Sequence, residues 1–170
     1  MTTDRALRVA ILHPDLGLGG AERLVVDAAL ELQRRGHRVT IFTGSHDPAR
    51  AFEETCDGTL DVRVCGAWIP LHAGGRLRVL AAIAKMTAGA AAILRDTTRP
   101  DVVLCDVVPH VIPLLRRIRR DLPVVFYCHF PDQLLAPPRR GVYRWYRWPI
   151  DAMESAGTAR ASAVLVNSGY

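Results

Sequence analysis

Six short apolar runs alternate with helical or polar connecting stretches along this chain, and that alternation constrains the fold more than any single motif. RVAILH (8–13) is a compact β-rich run. GAERLVVDAALELQRRGH follows it, placing Leu24, Val25, Ala28, Ala29 and Leu32 at helical spacing, with Gly36 as the stop signal. RVTIFTG (38–44) is the second strand, and the polar stretch after it carries Pro48 near a helix start. LDVRVCGAWIP (60–70) is predicted as the third strand and the alanine-rich residues 76–95 as a helix. RPDVVLCD (99–106) is the fourth strand, apolar throughout as a strand covered on both faces should be. A short helix interrupted by Pro109 and Pro113 comes next, then a fifth strand over 122–132. A helical stretch broken near Pro149 leads to a sixth strand over 162–168. Short strands alternating with helices predict an α/β fold: a doubly wound, Rossmann-like parallel sheet with helices on both faces.

Composition sets the scale of that fold. With 170 residues, 49% hydrophobic and 23% charged, the chain suffices for one domain with a sizeable core, taken as residues 1–170. Cys56, Cys65, Cys105 and Cys128 form no C-x-x-C pair, so they are expected to be buried thiols in a reducing compartment. The start MTTDRALRVAIL lacks a signal-peptide core, and no apolar stretch reaches the roughly 18 residues of a spanning helix, so a cytoplasmic location is expected. A formal charge of +5 suits an anionic partner: nucleic acid, anionic lipid or a phosphorylated substrate. Apart from Arg and aromatic residues interleaved at 139–148, no nucleic-acid motif is present, and no nucleic acid is expected as a partner.

In a doubly wound sheet, ligands sit beyond the carboxyl ends of the strands. The candidates are therefore His13 to Gly20, Thr43 and Gly44, Asp106, His129 to Asp132, and Asn167 with Ser168. In DLGLGGAE, Gly19 and Gly20 precede a helix whose first N–H groups are unpaired and whose dipole favours an anion by about 0.3–1 kcal/mol. That arrangement suits a phosphate; a tight turn with no ligand accounts for the same glycines, and spacing alone leaves both open. A dinucleotide site would need an acid after the second strand, where Thr43 stands instead. His129 follows a strongly apolar strand and can hydrogen-bond or move a proton in a cleft. His13, His37, His46, His72 and His110 have no comparable setting, except that His13 shares the first loop with Asp15. Asp15, Asp106 and Asp132 are scattered in sequence, and nothing demands a metal.

LHPDLGLGGAERLVVDAAL, FYCHFPD, YRWPID and VLVNS, in that order, resemble the N-terminal half of a family 4 glycosyltransferase, over nearly the whole chain from Arg8 to Tyr170. Within that family the resemblance is strongest to the α-1,3/1,6-mannosyltransferases that extend lipid-linked oligosaccharides. It implies a GT-B fold, with an acceptor-binding N-terminal domain facing a C-terminal domain that binds the nucleotide-sugar. No cofactor is implied beyond that donor, expected to be GDP-mannose, and the acceptor is a lipid-linked glycan. These residues end before a donor-binding domain, so the isolated chain is expected to be inactive without a C-terminal domain or a complementary subunit. By the same resemblance, His129 is the catalytic candidate, hydrogen-bonding the transferred sugar. Asp15, Gly19, Gly20, Asp106, Asp132 and Asn167 are phosphate- or substrate-binding candidates, and Glu22 caps or braces the glycine loop. The alternative function is a non-catalytic acceptor-binding subunit of a split glycosyltransferase.

A lipid-linked acceptor also gives meaning to PPRRGVYRWYRWP. Arg140, Arg144 and Arg147 recur at helical spacing among Tyr143, Trp145, Tyr146 and Trp148, a mixture suited to an anionic membrane surface. Arg140, Arg144, Trp145, Arg147 and Trp148 are thus membrane-facing candidates, making the protein peripheral at the cytosolic face of a membrane. Tryptophans packed in a core or domain interface beside solvated arginines would produce the same pattern. The helix at 76–95, with Leu80, Ile83 and Leu94 on an apolar side and Lys85 interrupting it, is a second surface-lying candidate.

Overall fold

A computed structural model describes residues 5–69, 78–129 and 142–167. Six parallel strands form one sheet: β1 (Arg8–His13), β2 (Arg38–Thr43), β3 (Asp61–Val64), β4 (Val102–Asp106), β5 (Val124–Cys128) and β6 (Ala163–Val166). Their spatial order is β3-β2-β1-β4-β5-β6. The helices are α1 (Gly20–Arg34), α2 (Arg78–Arg95), α3 (Ile112–Ile118) and α4 (Val142–Arg160). Strand order reverses direction between β1 and β4, which makes their carboxyl ends the switch point where a ligand crevice opens. The architecture is the doubly wound, Rossmann-like one expected from the alternation of strands and helices.

Period-two alternation along the strands builds two cores. Val9, Ile11, Val39 and Ile41 face α1 and meet Val25, Val26 and Ala29. Ala10, Leu12, Phe42, Val103, Cys105, Val124 and Phe126 face the other way, onto Met86, Ala90 and Ile93 of α2 and Ile112 and Leu115 of α3. The helix α1 ends as its sequence dictates. Gly36 adopts a left-handed φ of 87°, His37 N–H donates to the Leu32 carbonyl at 3.0 Å, and Gly36 N–H donates to Gln33 at 2.8 Å.

Several expectations need correcting. The third strand is only four residues, because the chain turns away after Val64 and Cys65, and Gly66 then packs against Gly44. The stretch around Pro149 is one continuous helix. Pro149 lies on the exposed side of α4, where its ring displaces no packed neighbour. α2 does not lie on the surface: Met86, Ala90 and Ile93 are buried and Lys85 is 2% exposed. The thiols are not uniformly buried either, since Cys56 in the loop after β2 is exposed and only Cys105 is fully buried.

Candidate functional site

Strand parity brings the site together. His13 continues the odd-numbered side of β1, the side facing α1, and β1 pairs with β4 so that Leu12 lies opposite Cys105. The next step of that register sets His13 beside Asp106. β4 pairs Asp106 with Tyr127 of β5, and His129 stands two residues further on, on the same side. His13 Nδ1 lies 2.7 Å from Asp106 Oδ2, and His129 Nε2 lies 2.9 Å from Asp106 Oδ1. The first contact is a hydrogen bond. The second is close but poorly aligned for one, leaving both atoms short of a well-formed hydrogen bond.

Asp106 is thus a buried carboxylate between two imidazoles, at 1% exposure. His13 is also buried, and its Nε2 lies 3.7 Å from Glu22 Oε1 on the first turn of α1. Burial opposes the charge on His13, but the Asp106 and Glu22 carboxylates together outweigh it and push the imidazole up to about 9. His13 is therefore a cation at neutral pH, and its proton in turn holds the Glu22 carboxyl below the usual range. His129 differs in that about a quarter of its side chain meets solvent, so it is the member of the cluster that a ligand can reach. Tyr127 packs edge-on against it at 4.7 Å, the Asn167 amide points to its carbonyl at 3.5 Å, and the Tyr127 hydroxyl donates to Asn167 Oδ1.

Val107, directly after Asp106, has φ 66°, a left-handed conformation that a β-branched residue adopts only under strain. Val108 N–H donates back to the Asp106 carbonyl at 2.7 Å, closing the turn that carries the carboxylate.

The glycine loop has a specific arrangement. Gly19 is the N-cap of α1, and a side chain there would collide with the Glu22 carboxylate, which folds back over it. A protein acid thereby faces the positive end of the helix. Space beside Gly20 is open. Next to this loop a cleft of about 580 Å³ runs past Asp15, Glu22 and Lys85 to Pro109 and Glu154. Asp15 accepts from the Ser45 hydroxyl at 2.5 Å, and Lys85 Nζ donates to Ser45 Oγ at 2.9 Å. Glu22 borders both the cleft and the histidine cluster.

Of the candidates read from sequence, the structure brings Asp106 and His129 into direct contact, with Asn167 beside them, and places Asp15 and the glycine loop on the neighbouring cleft. Asp132 and Arg140 lie outside the described residues, as do the side chains of Arg144 and Arg147. Trp145 and Trp148 are exposed on α4, not packed into a core. Two participants were given no role in the sequence reading, although His13 falls in its first candidate loop. His13 needed the β1–β4 register to be found. Lys85 carried a signal, since it falls in the helical stripe Ala82, Met86, Gly89, Ala90, Ile93 that packs inward. Among the described residues, no cluster of three or more metal-ligating side chains is arranged to hold an ion, and no helix is long and apolar enough to cross a membrane.

Comparison with known proteins gives this geometry a family. The Glycosyltransferase Family 4 model matches residues 18–170. An α-1,3/1,6-mannosyltransferase ALG2 of Rhizomucor pusillus is 44% identical over 169 residues, covering 99% of this chain and 37% of that protein. The Homo sapiens ALG2 is 46% identical over 165 residues, covering 95% of this chain and 39% of the other. The chain thus spans roughly two fifths of the length of these relatives. Two solved structures share the fold at low identity. The catalytic domain of Arabidopsis thaliana starch synthase IV, bound to ADP and acarbose, has a TM-score of 0.54 at 16% identity over 75% of this chain and 35% of that one. Phytolacca americana UGT2, with UDP-2fluoro-glucose and pterostilbene, has a TM-score of 0.56 at 10% identity over 98% of this chain and 49% of its own. With the family model matching 18–170, most of the chain, and with it Asp106 and His129 of the switch-point site, the chain belongs to Glycosyltransferase Family 4.

Proposed function

We propose that these residues form the acceptor-side domain of a retaining mannosyltransferase, which moves mannose from GDP-mannose to a lipid-linked glycan at the cytosolic face of a membrane. The observation that carries the reading is the His13–Asp106–His129 cluster at the switch point, in a chain 44% identical to an α-1,3/1,6-mannosyltransferase. The donor-binding half is to be sought outside these residues, since the relatives are more than twice as long as the matched region.

In this reading the acceptor hydroxyl attacks on the face from which the nucleotide diphosphate departs. Such a step needs orientation and stabilisation of the leaving charge more than a strong base. Asp106, fixed by the cationic His13, orients His129, and the exposed edge of His129 hydrogen-bonds the transferred sugar. A donor phosphate approaches the open side of Gly20, while Asp15 and Asn167 contact substrate from either flank.

The test is transfer from GDP-mannose to a lipid-linked chitobiose-based acceptor by the full-length protein that contains this chain. Wild-type protein transfers mannose, and His129→Ala lowers kcat by about 100-fold or more, the scale of losing one transition-state hydrogen-bond donor. Undiminished transfer by that variant removes His129 from the mechanism. Absence of transfer from any nucleotide-sugar removes the assignment as a whole.

A further inference from the structure

Lys85 is the least expected residue of the cleft. It is 2% exposed, on the inward face of α2, and its stem lies in a slot with no side chain on either wall. A Cβ on Gly44, just past β2, would collide with Lys85 Cβ, Cγ and Cδ, and one on Gly66 would come within 3.3 Å of Cγ. The slot delivers the ammonium to the cleft wall, where it donates one hydrogen bond, to Ser45 Oγ at 2.9 Å. Ser45 is held in place in turn. Its hydroxyl donates to Asp15 Oδ1, and its carbonyl accepts from Leu16 N–H at 2.9 Å and from the Thr43 hydroxyl at 3.0 Å. An ammonium has three donors. Burying one with a single described hydrogen bond is costly, unless a ligand takes the others.

The cleft wall identifies that ligand's chemistry. Asp15, Glu22, Asp47 and Glu154 stand against Arg50 and Lys85, an excess of acid that repels a diphosphate. The carboxylates accept from hydroxyl groups, Lys85 donates to them, and Val79, Ala82, Val108 and Pro109 supply the apolar ground on which a sugar's C–H face rests. At about 580 Å³ the cleft lies in the range of ordinary small-ligand sites, roughly 300–1,000 Å³.

We propose that this cleft binds the uncharged saccharide end of the acceptor, not its phosphates, and that Lys85, aimed by the Gly44–Gly66 slot and the Asp15–Ser45 pair, donates a hydrogen bond to a sugar hydroxyl. The proposal rests on the reading of the chain as the acceptor side of a glycosyltransferase. It makes Lys85 a binding residue and Ser45 a positioning residue.

The test uses the full-length protein, with Lys85→Met, which keeps an apolar stem in the slot, and Ser45→Ala, which leaves the slot untouched. Transfer kinetics are read together with calorimetric titration of free chitobiose and, separately, inorganic pyrophosphate. Lys85→Met is expected to raise the acceptor KM by about tenfold or more, the value of one charged hydrogen bond, and to leave the donor KM unchanged. Chitobiose binding falls with it and pyrophosphate binding does not, while Ser45→Ala gives a smaller change in the same direction. An unchanged acceptor KM, chitobiose binding indifferent to Lys85→Met, or pyrophosphate binding lost on that substitution each overturns the proposal. Should Lys85→Met fail to fold, Ser45→Ala decides: an unchanged acceptor KM there is a negative result. If wild-type protein transfers no sugar yet binds chitobiose in a Lys85-dependent way, the mannosyltransferase reading fails and the saccharide site stands.

Discussion

His13 is held as a cation by two carboxylates, and this has a consequence for stability. Its folded-state value of about 9 lies above the ordinary 6.5, so the stabilisation is complete below about pH 6.5 and is lost as pH rises through 9. The size, from that difference, is roughly 3 kcal/mol. Denaturant unfolding at pH 6.5 and at pH 9.5 should differ by that order, and His13→Gln should flatten the difference. A pH-independent midpoint in the wild type would show that the imidazole is neutral. Asp106→Asn leaves two imidazoles without their carboxylate, and breaking such a buried pair costs about 3–5 kcal/mol, read as a lowered denaturation midpoint. At this scale sequence was a partial guide. Asp106 and His129 were legible because both follow apolar strands, and position after a strand is visible in one dimension. His13 follows a strand as well, but its importance comes from lying next to Asp106 across a parallel pair 93 residues apart, and register is a three-dimensional quantity. Lys85 was misjudged because its charge was weighed above its place in an inward-facing helical stripe.

Among the elements, α4 is where local rules and packing disagree most. Proline at position 149 predicts a break, yet the helix continues for eleven residues beyond it, to Arg160. What holds it is contact on its inner side: Ile150 is buried, the Ile150 carbonyl lies 3.2 Å from His110 Nε2, and Gly157 sits directly against the Pro109 carbonyl. A Cβ on Gly157 would fall onto that carbonyl, and backbone cannot step aside as a flexible side chain does. Gly157→Ala is therefore expected to destabilise by about 1–3 kcal/mol despite alanine's better helix propensity. Urea midpoints of the two proteins measure the difference, and a neutral or stabilising result would mean that α4 is free to shift from the turn it packs on. The six strands were legible because each is a short apolar run between turn residues. The third was overextended, because the apolar residues of CGAWIP follow it without interruption while the close approach of Gly66 to Gly44 turns the chain aside.

At the scale of the whole molecule, the sequence carries a formal charge of +5, and among the described residues basic and large apolar side chains meet on α4 and beside it. Trp145 and Trp148, one helical turn apart, are 73% and 70% exposed on α4, and Met153 follows them on the same helix. A groove between α3 and α4 is lined by Arg116, Arg117 and Arg160 with no acidic residue. Large indoles left exposed to water forgo most of the free energy of burial, and acid-free arginines repel one another, so both features favour an anionic, partly apolar partner surface. A bilayer carrying anionic lipid offers both at once: indoles rest at the headgroup level and arginines contact phosphates. This fits the proposal of an acceptor carried on a lipid, whose saccharide would reach the Lys85 cleft while its tail stays in a membrane. In the full-length protein, Trp145→Ala with Trp148→Ala should weaken co-sedimentation with phosphatidylserine vesicles several-fold at any salt concentration. Arg117→Gln with Arg160→Gln should instead reduce the salt dependence of binding, because exposed charge pairs are screened within about 10 Å at 0.1 M. Binding to neutral phosphatidylcholine vesicles should depend on the tryptophans alone. If all four substitutions leave vesicle binding unchanged, the exposed indoles face another protein surface, and this side of α4 has to be sought in a domain interface instead.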